Sequence, residues 1–171
     1  MFKCIAMILI FTTCTLTGFY QAFQVQRRKT LLVEYRDFLQ RIETEMGYFK
    51  EPLPLLLEKL HNSSNHPINL LIRHCLLQID KSAESIAQIW EEGIHTAYDC
   101  EPLTASDLRI LVKCGEFIGQ SDFQGQKGHF SLLKDELSLN ITDAETACRI
   151  KGPLYSKAGL SVGMVIAIAI L

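Results

Sequence analysis

Apolar positions at the start of the chain form a block rather than a rhythm. "CIAMILIFTTCTLTGFYQAF", residues 4–23, is twenty residues without a charge. At about 1.5 Å per residue such a helix reaches roughly 30 Å, the thickness of a bilayer hydrocarbon core. The pattern predicts an uncleaved membrane anchor over 4–23. A cleaved secretory signal is the rival, and no convincing small-x-small cleavage site follows the run. The last residues, "SKAGLSVGMVIAIAIL", carry no charge after Lys157. Counted from Ala158 they give roughly 21 Å of helix, too short to cross a membrane; counted from Pro153 they give about 28 Å, which suffices. A second membrane helix over 153–171 is therefore expected, with Lys157 snorkelling to the headgroups. The last buried helix of a soluble domain is the other reading.

Between these blocks the apolar period is 3.6, not 2. Leu31, Leu32, Tyr35, Phe38, Leu39, Ile42 and Met46 form one stripe, on a helix that continues out of the first block. "EPLPLLLEKL" opens a second, short helix with Pro52 in its first turn. "INLLIRHCLLQI" is nearly all apolar and reads as a central third helix. "SAESIAQIWEEGIHTAY" gives a fourth, with Ile86, Ile89, Trp90, Ile94 and Ala97 inward. "TASDLRILVKCGEFIG" gives a fifth, with Leu108, Leu111, Val112, Gly115 and Ile118 as its stripe. Thr104 and Asp107 are spaced as a capping box at its start, and Ser121 and Gln124 repeat that spacing. A sixth helix presents Phe130, Leu133, Leu137, Ile141, Ala144 and Cys148 on one face, and Pro153 should kink or interrupt it. The fold class predicted is all-α: an antiparallel helical bundle, 30–150, flanked by an N-terminal and a C-terminal transmembrane helix.

Charge sharpens this division. All 19 acidic residues lie between Glu34 and Glu145, where ten basic residues leave a net −9. Beyond that window every charge is positive: Lys3, Arg27, Arg28, Lys29, Arg149, Lys151 and Lys157. Cations favour the cytoplasmic side, so the middle domain should be cytoplasmic and both termini outside. A whole-chain charge of −2 gives no footprint for nucleic acid. Gly159, Gly163 and Ala167 recur every fourth residue in the last block, and Cys14 and Gly18 share that spacing in the first. Small residues so placed let membrane helices pack closely, although they are also common in any apolar helix.

Candidate chemistry changes the picture little. The six cysteines lack CxxC pairing and suit a reducing compartment as free, mostly buried thiols. Five scattered histidines offer no ligand spacing, and His74 beside Cys75 points about 100° away from it. Glu43 and Glu45 face apart on a helix, a poor acid/base pair. "GQSDFQGQKG" lacks the strand and the Lys-Ser/Thr of a phosphate loop. No catalytic, cofactor or metal site is predicted, Trp90 is expected to anchor the core, and function should lie in what the domain binds.

Three segments together carry a family resemblance. "EYRDFLQRIETEMGYFKEPLPLLLEKL" (34–60), "IAQIWEEGI" (86–94) and "LVKCGEFIGQSDFQGQ" (111–126) resemble the stage III sporulation protein AB family of endospore-forming bacteria. Glu51 before Pro52, Cys114 and Ile118 vary that pattern. The resemblance implies a component of the channel-like complex between mother cell and forespore, in the mother-cell membrane. Its helical domain would be similar to the cytoplasmic domains of type II secretion and type IV pilus platform proteins. Partners implied are a secretion-type ATPase, the stage III sporulation protein AA, and the membrane ring components, with room for self-association into a homo-oligomer. Arg36, Asp37, Glu43, Glu45, Ser121, Asp122 and Gln126 are the candidate partner-binding residues. A membrane-anchored receptor or signal-relay protein is the alternative of another class.

Overall fold

The computed structural model describes residues 2–49, 53–61, 66–79, 81, 85–118 and 123–170. Among these the regular elements are six α-helices: α1 (Phe2–Phe49), α2 (Leu53–His61), α3 (His66–Ile79), α4 (Ile86–Tyr98), α5 (Ala105–Ile118) and α6 (Phe123–Ile170). Two compact units emerge. One comprises 31–141; the other comprises 1–30 and 142–171, so α1 and α6 contribute to both.

In the 31–141 unit consecutive helices pack on one another, α2 on α3, α3 on α4 and α4 on α5. The stripes expected on α1 and α6 form the walls of its core: Leu31, Leu32, Tyr35, Phe38, Leu39 and Ile42 are buried, as are Phe130, Leu133, Leu137 and Ile141. Trp90 lies at the centre, 1% exposed. Its ring stacks on Phe38 at 6.3 Å, and Tyr35 meets Phe38 and Tyr98 edge-on or tilted. The Trp90 Nε1–H and the Tyr35 hydroxyl both donate to the Leu111 carbonyl at 3.0 Å. Three helices thus converge on one backbone acceptor of α5. Gly115 makes this possible. A Cβ there would stand 2.7 Å from the Trp90 Cβ and Cγ, well inside van der Waals contact. Gly93 does the same on α4, where a Cβ would meet Leu71 at 2.7 Å.

Helix ends follow the capping expectations in part. Thr104 and Asp107 form the reciprocal box that opens α5: the Thr104 N–H donates to Asp107 Oδ2 (2.8 Å) and the Asp107 N–H to Thr104 Oγ1 (3.2 Å). Asp107 is also fully buried and accepts from Asn140 Nδ2 of α6 at 2.8 Å. A cap that the spacing suggested is therefore also a polar tie between helices. Ser85 and Gln88 form a second box, at the start of α4. Ser121 lies outside the described residues, and so does the side chain of Gln124.

Three expectations need correction. The buried face of α5 is Asp107, Ile110, Leu111, Cys114, Gly115 and Ile118, while Leu108 and Val112 are only half-buried. The helix is rotated from its predicted stripe because its N-terminal box turns Asp107 inward. Helix α3 is one-sided rather than central: Ile68, Leu71, Ile72 and Cys75 are buried, but Leu77 is 52% exposed. Of the kink or interruption expected at Pro153, the interruption does not occur: helix α6 runs on through it. Arg149 and Pro153 are both exposed, so the Arg149 carbonyl that loses its partner need not be buried unsatisfied.

Cys14, Cys75, Cys100, Cys114 and Cys148 are free thiols. Cys75 and Cys114 are buried and Cys100 is exposed, so burial is less general than expected. Burial pushes the Cys75 and Cys114 thiols up to about 12. At pH 8 only about one in ten thousand of either is thiolate, the reactive form. Iodoacetamide at pH 8 should therefore alkylate Cys100 promptly and leave Cys75 and Cys114 unmodified until denaturant is added, as peptide mass mapping would read. Prompt modification of Cys114 in the native chain would contradict this core.

Candidate functional site

The 31–141 unit carries an open groove of about 590 Å³ between α1 and α2. Its wall is one face of α1, where Asp37, Gln40, Arg41, Thr44 and Glu45 recur at helical spacing, and its other side is Lys59 and Leu60 of α2. Leu60 is buried and roots the α2 side in the core. Charge alternates along the α1 face, Asp37 then Arg41 then Glu45, one turn apart, which presents both signs at once. Charge of both signs on one surface is suited to matched ion pairs rather than to apolar burial.

The candidate residues fall into distinct places. Asp37 and Glu45 line the groove, and Arg36 pairs with Asp37 at 3.1 Å beside it. Glu43 points elsewhere: its half-buried carboxylate pairs with Lys134, tying α1 to α6 within the unit. Ser121 and Asp122 lie outside the described residues, as does the side chain of Gln126. The structure adds Gln40, Arg41, Thr44 and Lys59, of which only Arg41 stands out in sequence as a cation between two acids. A second groove, about 550 Å³, lies between α4 and α5 over Leu108 and Val112, with Glu91, His95, Arg109 and Glu116 around it. Among the described residues no three His, Cys, Asp or Glu side chains gather as metal ligands.

The unit formed by 1–30 and 142–171 is an antiparallel helix pair. A Cβ on Gly18 would sit 2.6 Å from the Tyr155 carbonyl oxygen, and one on Gly159 would sit 2.9 Å from that of Cys14. Gly163 lies against Phe11 and Cys14. The side chain of Ala167 is outside the described residues. Higher along α1, Cys148 Sγ meets the Val25 carbonyl at 3.2 Å. Arg28 pairs with Asp143 at 3.0 Å and Lys29 with Glu145 at 2.9 Å. These contacts share one register, residue numbers on α6 falling as those on α1 rise. Away from the seam the faces are apolar and exposed: Leu9, Leu16, Phe19 and Phe23 on α1, Leu154 and Val165 on α6. Among the described residues one helix, within Ile8–Met46, is long and apolar enough to cross a membrane.

The Lys29–Glu145 pair sets a pH window for this unit. Its hydrogen bond and charge hold the Lys29 pKa above 10.5 and the Glu145 pKa below 4.5. The acid's contribution is present above pH 4.5 and lost as pH falls through its lowered value. The lysine's is present below pH 10.5 and lost as pH rises through its raised value. Thermal unfolding of Glu145→Gln should fall short of that of the parent chain at pH 7 and approach it as pH falls from 4.5 through the lowered value. Equal curves at pH 7 would show that the pair adds nothing.

Comparison with known proteins converges. A family model described as stage III sporulation protein AB matches residues 3–171. Stage III sporulation protein AB of Bacillus subtilis (strain 168) is 26% identical over 166 residues, covering 97% of each chain. A solved structure of a stage III sporulation protein AB superposes with a TM-score of 0.65 at 27% identity, over 72% of this chain and 97% of that one. The family is named for sporulation, not for a catalytic activity.

Proposed function

The chain belongs to the stage III sporulation protein AB family, and on that premise we propose that it serves sporulation as a non-enzymatic membrane platform. It is a component of the channel complex between mother cell and forespore. Its helix pair, 4–23 with 153–171, crosses the mother-cell membrane facing the forespore, and its helical domain, 30–150, stands in the cytoplasm. There the domain engages a secretion-type ATPase, the stage III sporulation protein AA, and couples it to the membrane ring components.

The observation that carries this reading is the pairing of two surfaces in one chain. One is a helix pair with glycines at its seam and large apolar side chains exposed around it, the arrangement that suits lipid. The other is an open groove of alternating charge on a well-packed core, the arrangement that suits a protein partner. The reaction such a platform takes part in would be the ATPase's, so its own residues need only hold position and charge. Reversing Asp37 and Glu45 together to lysine should cut capture of the ATPase from detergent extracts of sporulating cells at least tenfold, with helicity by circular dichroism unchanged. Undiminished capture by the folded variant would remove the groove from the account.

A further inference from the structure

We propose that the α6 segment from Arg149 to Lys157 binds the phosphate of an anionic phospholipid. The inference rests on the reading of the helix pair as membrane-embedded. In the antiparallel register Ile150 is about level with Phe23, and Lys157 about level with Leu16. Lys157 therefore stands about 10 Å below the end of the charge-free run on α1, at roughly 1.5 Å per residue. It is exposed there, as are Ile150 (60%), Leu154 (59%) and Leu16 (68%) around that level.

A lysine at that depth must bring its ammonium up to the polar boundary. The cation above it on the same flank is Arg149, two helical turns away. Eight residues advance about 12 Å and rotate only about 80°, so both stems rise from one flank of α6. Pro153 lies between them on that flank, and no charged residue stands there to satisfy either cation. The other cations nearby differ: Arg28 and Lys29 pair with Asp143 and Glu145, and Lys151, exposed as well, lies about 200° around α6 from Arg149, off that flank. Lys157 makes no ion pair with a described residue, and Arg149 acts on Glu145 only as a neighbouring charge. A phosphodiester between the guanidinium and the ammonium would meet a fork of donors above and a point charge below. Ile150 and Leu154 would flank its glycerol and upper acyl chains. A zwitterionic lipid brings its own cation to the same place and would be held less well.

The test uses the full chain reconstituted in phosphatidylcholine bilayers with trace spin-labelled phosphatidylglycerol or phosphatidylcholine. The motionally restricted fraction of each probe gives the relative association. The parent chain should hold phosphatidylglycerol about threefold or more over phosphatidylcholine. Arg149→Gln with Lys157→Gln should bring the ratio close to one, and Arg149→Lys with Lys157→Arg should keep most of it. Arg73→Gln with Lys81→Gln, which removes two exposed charges elsewhere, should leave it unchanged. A ratio near one for the parent, or an equal loss in the Arg73/Lys81 variant, overturns the site. Release of the parent chain from the bilayer by alkaline carbonate overturns the membrane reading itself. Retention after that wash with no lipid preference sinks this inference alone.

Discussion

Replacing Trp90 with alanine should destabilise the 31–141 unit by about 3–5 kcal/mol, a large share of the roughly 5–15 kcal/mol that holds a domain of this size. Three losses add up at that position. The side chain is 1% exposed, so its removal leaves a cavity the size of an indole. The Phe38 ring loses its stacking partner, and the Leu111 carbonyl loses one of two side-chain donors. Trp90→Phe keeps most of the volume and should cost nearer 1–3 kcal/mol, the hydrogen bond and the poorer fit together. The coupling with Gly115 is the sharper test. Gly115→Ala alone should cost about 1–3 kcal/mol, because its methyl would stand 2.7 Å from the Trp90 side chain. In the Trp90→Ala background the Cγ and Cδ1 contacts are gone and only the Cβ contact remains, beside a cavity into which either group can shift, so the same change should cost clearly less. Far-UV circular dichroism in guanidinium chloride would read all four chains. Additive losses would show that the indole ring does not press on Gly115.

The second large effect is at the helix pair. The Cβ of Cys14 and a Cβ built on Gly163 are 3.4 Å apart, at the short end of the roughly 3.5–4.5 Å found across a disulfide. Gly163→Cys should therefore crosslink to Cys14 on oxidation in membranes, with modest adjustment of Phe11. Adding Gly159→Leu should reduce the crosslinked fraction about tenfold. Its side chain would begin 2.9 Å from the Cys14 backbone oxygen, and backbone cannot move aside as a side chain can. Adding Gly152→Leu instead should leave the yield unchanged, because a Cβ there meets nothing within 4 Å. Non-reducing digestion and mass spectrometry would identify the 14–163 product. Equal losses from the two leucines would mean that the glycines on α6 do not define the seam.

What sequence revealed and what it hid have physical reasons. The core stripes of α1 and α6 were legible because each repeats over several turns with charge opposite. The capping box at Thr104 and Asp107 was legible because its chemistry is local. The phase of α5 was not. Its apolar residues offer two overlapping stripes, and the choice between them is made by Asp107 turning inward to meet Asn140, 33 positions away. Helix α3 misled for a related reason: a run that is apolar all round does not announce which face will be left outside. The Leu111 acceptor left no mark in the sequence, since every residue but its side chain's identity offers the same carbonyl. The groove was half legible. Asp37, Arg41 and Glu45 share a face by spacing alone, but Lys59 reaches them only through the packing of α2.

The α1–α2 groove is the proposed meeting place of this chain with its partners in the sporulating cell. A photo-crosslinking amino acid placed at Thr44, exposed in the groove wall, tests it most directly; the same residue at Thr96, exposed on α4, serves as comparison. Illumination of sporulating cells should give an adduct of the Thr44 chain with the secretion-type ATPase or a ring component, and none or little from Thr96. Adducts from Thr96 alone, or none from Thr44 in cells that complete sporulation, would contradict the account.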